Sequence, residues 1–188
     1  MRAKNLIIPG VFISILFLYL STRLISSPQV GWAFNTESKS DPPSINQNSK
    51  SGLSPKFPNS IQQWKETIEH NAIKFNLDAN LIASVILQES GGNPLAYSSS
   101  GAVGLMQIMP RDGLAIGFIC DGHPCFLSRP TMRELYDPHF NIEYGSKMLT
   151  NLINKYGDWR EALHAYGPMD VGFEYADLVL LIQNNYQS

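Results

Sequence analysis

Glu89 is the residue of this 188-residue chain best placed to do acid–base chemistry. It shares one face of a predicted helix with Ile82 and Ile86, and Gly91-Gly92 ends that helix. Burial and the partial negative charge at a helix C-terminus both disfavour a carboxylate, so we expect a raised pKa and a proton donor near neutral pH. A surface glutamate at a frayed helix end is the alternative, and the motif that follows Glu89 argues against it.

Helical periodicity surrounds this residue on both sides, and no run of alternating residues predicts a large sheet. We therefore expect a mainly α domain over 60–188. The Gly-rich segment 93–104 is too irregular for a helix and fits either a short hairpin or a lobe of loops. The apolar spacing predicts helices over 61–75, from Asp78 to Gly91, and over 105–109, 139–156, 161–166 and 171–185.

Two segments precede the predicted domain. Residues 1–33 combine a short basic start with an apolar run, which fits a cleaved signal peptide or a membrane anchor through residues 6–22. Either one exports the protein. Residues 34–59 are rich in Ser, Pro, Asn and Lys and poor in large apolar residues, so we expect a disordered linker.

The two cysteines and the net charge limit the ligands and partners that the chain could bind. Cys120 and Cys125 enclose a short Gly- and Pro-containing loop, and export favours a disulfide between them. A metal site that also uses His123, or two free thiols, is the alternative. The net charge of −2, without a long basic run, argues against a nucleic-acid partner.

Three motifs in order resemble the soluble lytic transglycosylase family, whose catalytic domain resembles goose-type lysozyme. The first motif is Glu-Ser followed by a polar stretch and by Gly-Ala-x-Gly-Leu-Met-Gln-Ile-x-Pro, here residues 89–110. The second is Asp-Pro followed by Asn-Ile-x-x-Gly, here 137–145, and the third is Ala-Leu-x-Ala-Tyr, here 162–166. The resemblance implies a lysozyme-like fold with a cleft beside residues 93–104.

The resemblance also implies roles for five residues. Glu89 would be the single catalytic acid and base, with Tyr166 beside it to orient it. Ser98, Met106 and Gln107 would line the cleft and position the N-acetylated sugar. Each of the four has a structural alternative, which is a turn cap for Ser98, core packing for Met106, a backbone contact for Gln107 and an edge-of-core aromatic for Tyr166.

The chain departs from the family pattern at two positions. Gly167 follows Tyr166 where an asparagine is usual, which puts the substrate contacts at that position in doubt. Met148 stands where an aromatic residue is common. Neither change touches Glu89.

The implied reaction needs one acid and no metal or organic cofactor. Most glycosidases use two carboxyl groups, but Asp112, Asp170 and Glu174 fit surface or capping charges better than a second catalytic group. The resemblance implies cleavage of the bond between N-acetylmuramic acid and N-acetylglucosamine in peptidoglycan, with a 1,6-anhydro product.

Two other functions fit the same residues. A goose-type muramidase would add water at the same bond, and a non-catalytic module would only bind glycan strands. In each case we expect a monomer, exported to the bacterial periplasm or cell envelope.

Overall fold

A computed structural model describes residues 52–168 and 171–187. The helices of these residues surround one buried helix, and a two-stranded antiparallel sheet projects from a loop. The elements are α1 (Asn59–Gln62), α2 (Lys65–Phe75), α3 (Ala79–Ser90), a 3-10 helix (Gly113–Gly117), β1 (Ile119–Cys120), β2 (His123–Pro124), α4 (Met132–Leu135), α5 (Pro138–Tyr156), α6 (Trp159–Tyr166) and α7 (Glu174–Gln187). The prediction of a mainly α fold is confirmed.

The buried helix is α3, because eight consecutive residues from Ala79 to Ile86 are inaccessible to solvent. It packs against α7 on one side and α2 on another, while α5 packs against α2 and α6. A helix that is buried on all sides lies in the core, and the two polar residues of this stretch, Asn80 and Ser84, are buried with it. Glu89 is carried by the last turn of this helix, so its backbone is held by the centre of the domain.

Local capping residues fix where the long helices begin and end. The side chain of Asp78 accepts a 2.7 Å hydrogen bond from the backbone N–H of Asn80 at the start of α3. Asp137 caps α5 in the same way, and Pro138 occupies the first helical position. Gly91 and Gly157 end α3 and α5 in the left-handed conformation that glycine adopts without strain.

The folded domain begins earlier than the sequence predicted. The expected linker extended to residue 59, but Leu53 and Phe57 are only 3% and 2% exposed and belong to the core. The backbone N–H of Leu53 donates to Glu69, and that of Ser54 donates to Asn80. The segment is therefore ordered by burial of two apolar side chains. Residues 1–51, with the expected signal or anchor and most of the expected linker, lie outside the described residues.

Two predicted helices differ from those observed. The helix expected over 61–75 is broken at Trp64, whose indole N–H donates a 3.1 Å hydrogen bond to the carbonyl of Gly92. The helix expected over 105–109 is a turn, in which Val103 and Ile108 pair as an isolated antiparallel bridge. In both places a long-range or cross-loop contact competes with the local helix.

The small sheet lies outside the Gly-rich segment 93–104. In that segment the only pairing among described residues is the isolated bridge between Tyr97 and Val103. The sheet consists instead of β1 and β2, and a disulfide between Cys120 in β1 and Cys125, directly after β2, confirms the predicted pairing. Across residues 52–168 and 171–187, no helix has the length and apolar character needed to cross a membrane.

Candidate active site

Glu89 lies at the C-terminal end of α3, where the chain turns into the Gly-rich motif. Its side chain is half-buried, and Oε1 accepts a 2.6 Å hydrogen bond from the hydroxyl of Tyr175 at the start of α7. Burial raises the pKa of Glu89 from its ordinary value of 4.5 to about 7, while the Tyr175 hydrogen bond acts in the opposite direction. Glu89 therefore exchanges a proton readily near neutral pH, as a general acid and base must.

Tyr166, at the end of α6, was predicted to lie beside Glu89 and orient it. Its hydroxyl instead donates a 2.9 Å hydrogen bond to the backbone carbonyl of Met106. The carboxyl group is held by Tyr175, whose ring lies nearly parallel to that of Tyr166 with 6.5 Å between the centroids. Burial, with the nearby Glu89 carboxylate adding to it, raises the pKa of both phenols well above 10, so both remain hydrogen-bond donors.

Tyr175 explains one departure from the family pattern. A Cβ added to Gly167 would collide with Cδ1 and Cγ of the Tyr175 ring. The space that a side chain at 167 needs is occupied by the ring that holds Glu89. The helix predicted over 171–185 includes Tyr175 on its apolar face, but its sequence does not identify the partner of the hydroxyl. A buried tyrosine hydroxyl usually has a hydrogen-bond partner, and this is the signal that could have drawn attention to Tyr175.

Residues 91–110, which follow Glu89 in the first motif, form a loop that we call the motif loop. Ser98 and Gln107 stabilise it. The hydroxyl of Ser98 accepts a 2.9 Å hydrogen bond from the N–H of Ala102 and closes a turn. The side-chain amide of Gln107 donates to the carbonyls of Gly104 and Ala96 at 2.9 and 3.3 Å. Both side chains are half-buried. The structure thus places them in the alternative roles of turn cap and backbone partner, and leaves each partly accessible to a ligand.

Met106 does not line an open cleft, in contrast to its expected role. Its side chain is fully buried and packs against Gly145 of α5, so closely that a Cβ at 145 would collide with the Met106 sulfur. Of the motif residues 105–109, those accessible to solvent are Gln107 and Met109. Residues 104–107 form the turn between the bridged residues Val103 and Ile108, and Gln107 takes a positive φ of 45° in that turn.

Two polar side chains, the buried Asn141 and the half-buried Ser90, attach the motif loop to the helices. Asn141 of α5 accepts from the N–H of Met106 and donates to the carbonyls of Val103 and Leu135 at 2.8, 3.0 and 2.9 Å. Ser90 donates to the carbonyl of Leu105 at 2.8 Å. Because Ser90 follows Glu89 directly, this contact fixes the loop relative to the candidate acid.

A protein-family model and several known proteins match this chain. Residues 66–172 match the model of the family described as "Transglycosylase SLT domain". The chain is 39% identical over 98 residues to membrane-bound lytic murein transglycosylase E of Buchnera aphidicola, and 38% identical over 104 residues to the transglycosylase of Enterobacteria phage PRD1. These alignments cover 52% and 55% of this chain but only 43% and 34% of the relatives.

The fold is also found among solved structures. The lytic transglycosylase Slt of Pseudomonas aeruginosa, solved as an inactive mutant, superposes with a TM-score of 0.53 at 23% identity. The match covers 69% of this chain and 24% of that one, and it supports the lysozyme-like fold alone. Since the family model matches more than half of its length, the chain belongs to the transglycosylase SLT domain family.

Proposed function

We propose that the chain is a peptidoglycan lytic transglycosylase that cleaves the bond between N-acetylmuramic acid and N-acetylglucosamine without consuming water. The observation that supports this most directly is the half-buried Glu89, with a pKa of about 7 and a hydrogen bond from Tyr175. The family membership and the names of the relatives support the substrate class. The chain spans less than half of those relatives, so the activity of the whole protein is part of the proposal.

A single acid is enough when the substrate supplies the nucleophile. Protonated Glu89 donates its proton to the oxygen that bridges the two sugars, and the bond from that oxygen to the muramyl C1 breaks. The neighbouring acetamido oxygen stabilises the positive charge on C1. Carboxylate Glu89 then takes the proton of the muramyl 6-hydroxyl, whose oxygen bonds to C1. The products are a free 4-hydroxyl and a 1,6-anhydro ring, and Glu89 is protonated again.

The other residues have supporting roles in this scheme. Tyr175 positions the Glu89 carboxyl group, and Tyr166 holds the backbone of the motif loop through Met106. Ser98 and Gln107 are accessible enough to contact the N-acetylated sugar. Met106 acts from the core, by supporting the loop against α5.

We also propose a location in the cell envelope. Residues 1–33 would act as an export signal or as a tether through residues 6–22, which agrees with relatives that are named membrane-bound. The catalytic domain would then begin near residue 52, where the core begins. The working unit in this proposal is a monomer.

Product analysis tests the reaction. Digestion of purified peptidoglycan by the full chain should release anhydro-muropeptides, each lighter by one water than the product of a muramidase. Glu89→Gln should abolish release, whereas the exposed control Glu161→Gln should retain it. Hydrated products would instead support the goose-type muramidase, and full activity of Glu89→Gln would contradict the catalytic role.

A further inference from the structure

The segment between the motif loop and α4 has no role in the reaction described above. We call residues 111–130 the disulfide loop, since the bond between Cys120 and Cys125 lies within it. Its ends are joined where the backbone N–H of Arg111 donates a 2.9 Å hydrogen bond to the carbonyl of Pro130. The disulfide loop is therefore closed both at its base and near its tip.

One end of the disulfide loop packs against the motif loop. A Cβ added to Gly101 would lie only 3.0 Å from the Cβ of Leu114. The N–H of Gly101 in turn donates a 3.0 Å hydrogen bond to the carbonyl of Ser98. The start of the disulfide loop thus lies next to the turn that carries Ser98, one of the two residues accessible to an N-acetylated sugar.

The other end of the disulfide loop reaches α5 through Arg129. Nη1 of this arginine lies 3.5 Å from the sulfur of Met148, which packs against the core. Met148 is one helical turn from Gly145, the residue that contacts Met106. The carbonyl of Met106 accepts the hydrogen bond of Tyr166. A continuous series of contacts therefore leads from Arg129 to Tyr166 at the candidate active site.

The electrostatic environment of Tyr166 agrees with this placement. Burial raises the pKa of Tyr166, the Glu89 carboxylate raises it further, and the Arg129 guanidinium acts in the opposite direction. At ordinary salt concentrations a charge acts over roughly 10 Å, so Tyr166 lies within that reach of both charged groups. Arg129 is therefore close enough to Glu89 for one oligosaccharide to contact both.

The guanidinium of Arg129 has no carboxylate partner within residues 52–168 and 171–187. It is half-buried, and it contacts the Met148 sulfur and the ring of Phe126, whose centroid is 5.3 Å from Cζ. A guanidinium carries five N–H donors in one plane and matches the two oxygens of a carboxylate. Because a thioether is a weak acceptor, most of these donors are left for solvent or for an anion.

The proposed substrate carries a carboxylate at a defined place. Muramic acid has a lactyl group on C3, which ends in a carboxylate in bare glycan strands and is joined to a peptide with its own carboxylates in intact peptidoglycan. N-acetylglucosamine lacks this substituent. We propose that Arg129 binds a carboxylate of the C3 substituent of a muramyl residue, and so selects muramyl-containing strands over uncharged glycans. This assignment rests on the proposed function, which supplies the substrate class.

Calorimetric titration of the full chain in nonionic detergent tests the proposal, with Glu89→Gln as the parent chain to prevent cleavage. The ligands are three tetrasaccharides of alternating N-acetylglucosamine and N-acetylmuramic acid, which differ only at the lactyl group. This group is a free carboxylate, an uncharged methylamide, or an amide to the dipeptide alanyl-glutamic acid. The charged ligand that Arg129 recognises should bind the parent chain about tenfold more tightly than the methylamide.

Arg129→Gln in the parent chain should remove this preference. We expect about a tenfold loss of affinity for at least one charged ligand and a change within about twofold for the methylamide, which also reports an intact site. The charged ligand that loses affinity identifies the source of the carboxylate, which is the lactyl group or the peptide. Equal affinity of the parent chain for all three ligands, or equal weakening of all three by Arg129→Gln, would overturn the proposal.

Two further variants separate a local contact from general charge attraction. Arg133→Gln removes the same charge from an exposed position of α4 and should leave every affinity within about twofold. Arg129→Lys keeps the charge but lacks the planar donors, so it should recover part of the affinity for the charged ligand. If Arg133→Gln weakens the charged ligands as much as Arg129→Gln does, the assignment to Arg129 is wrong.

The outcome also distinguishes this proposal from the proposed function. If none of the three tetrasaccharides binds the parent chain, the glycan substrate is wrong and the Arg129 assignment is overturned with it. If the charged ligand is preferred through Arg129 but the chain with Glu89 intact releases no anhydro product from peptidoglycan, the Arg129 assignment stands and the proposed reaction alone is contradicted.

Discussion

The hydroxyl of Tyr175 donates a 2.6 Å hydrogen bond to Oε1 of Glu89, although 86 residues separate the two in sequence. The contact joins the start of α7 to the end of α3 and fixes one oxygen of the candidate acid. It also favours the carboxylate, against the larger effect of burial. Tyr175 therefore orients the Glu89 carboxyl group and lowers its proton affinity, while burial has the larger effect on the pKa.

Tyr175→Phe should change the pH dependence of the lytic reaction. Removal of the hydrogen bond leaves burial unopposed, so the pKa of Glu89 should rise above about 7. The decline of activity at high pH should then move to higher pH, and the maximal rate should fall on the order of tenfold because the carboxyl group is less well oriented. A pH–rate profile of anhydro-muropeptide release measures both effects.

Tyr166→Phe is the matched control for that experiment. Its hydroxyl contacts the carbonyl of Met106 and not the carboxyl group. We expect a loss of about 1 kcal/mol in unfolding free energy and no shift of the high-pH decline. If Tyr166→Phe moves the decline as far as Tyr175→Phe does, the proposed division of roles between the two tyrosines is wrong.

The raised pKa of Glu89 also makes a prediction about stability. Between pH 4.5 and about 7 the folded protein retains a proton on this carboxyl group that the unfolded chain has released. Its contribution is therefore fully present below pH 4.5 and is lost as the pH rises to about 7. Glu89→Gln lacks this group, so only the wild type should lose this stability as the pH rises. Between pH 4 and pH 8 the unfolding free energy of the variant, relative to that of the wild type, should therefore increase by about 2 kcal/mol, a value that allows for partial exposure. Urea unfolding at several pH values measures the difference, and parallel curves for the two proteins would show that folding does not raise the pKa of Glu89.

The sequence predicted the position of Glu89 because both determinants of its environment are local. Helical spacing places it on the buried face of α3, and Gly91 ends the helix two residues later. Its partner Tyr175 could not be found in that way, because an apolar stripe records which side chains are buried and not what a hydroxyl group contacts. Only the packing of α7 against α3 brings the two together.

Met106 and the domain start were mispredicted for related reasons. The motif places Met106 near the substrate, but the direction of its side chain depends on a turn held by Asn141, which lies 35 residues away. Leu53 and Phe57 are isolated apolar residues in a polar segment, so composition averaged over that segment hides them. In both cases the deciding contacts are distant in sequence.

Asn141→Ala should cost more stability than any ordinary surface change. The side chain makes three hydrogen bonds while fully buried, and its loss leaves one N–H and two carbonyls with fewer partners. We expect a decrease of about 3 kcal/mol in unfolding free energy. Asn151→Ala, an exposed position on the same helix, should change it by less than about 0.5 kcal/mol. Similar losses in the two variants, measured by urea unfolding, would show that Asn141 does not anchor the loop.

Gly104→Ala should also disrupt the contact between the motif loop and Asn141. Gly104 has a φ of +77°, and an added Cβ would collide with Nδ2 of Asn141 and lie 2.8 Å from the carbonyl oxygen of Leu135. Gly91→Ala is a matched control, because its φ is +62° but nothing lies within 4 Å of the added Cβ. Backbone strain alone should cost Gly91→Ala about 1 kcal/mol, and the collision should bring the cost for Gly104→Ala to about 3 kcal/mol. Urea unfolding of both variants tests this difference; equal losses would mean that the loop shifts freely and that contact with Asn141 does not hold it in place.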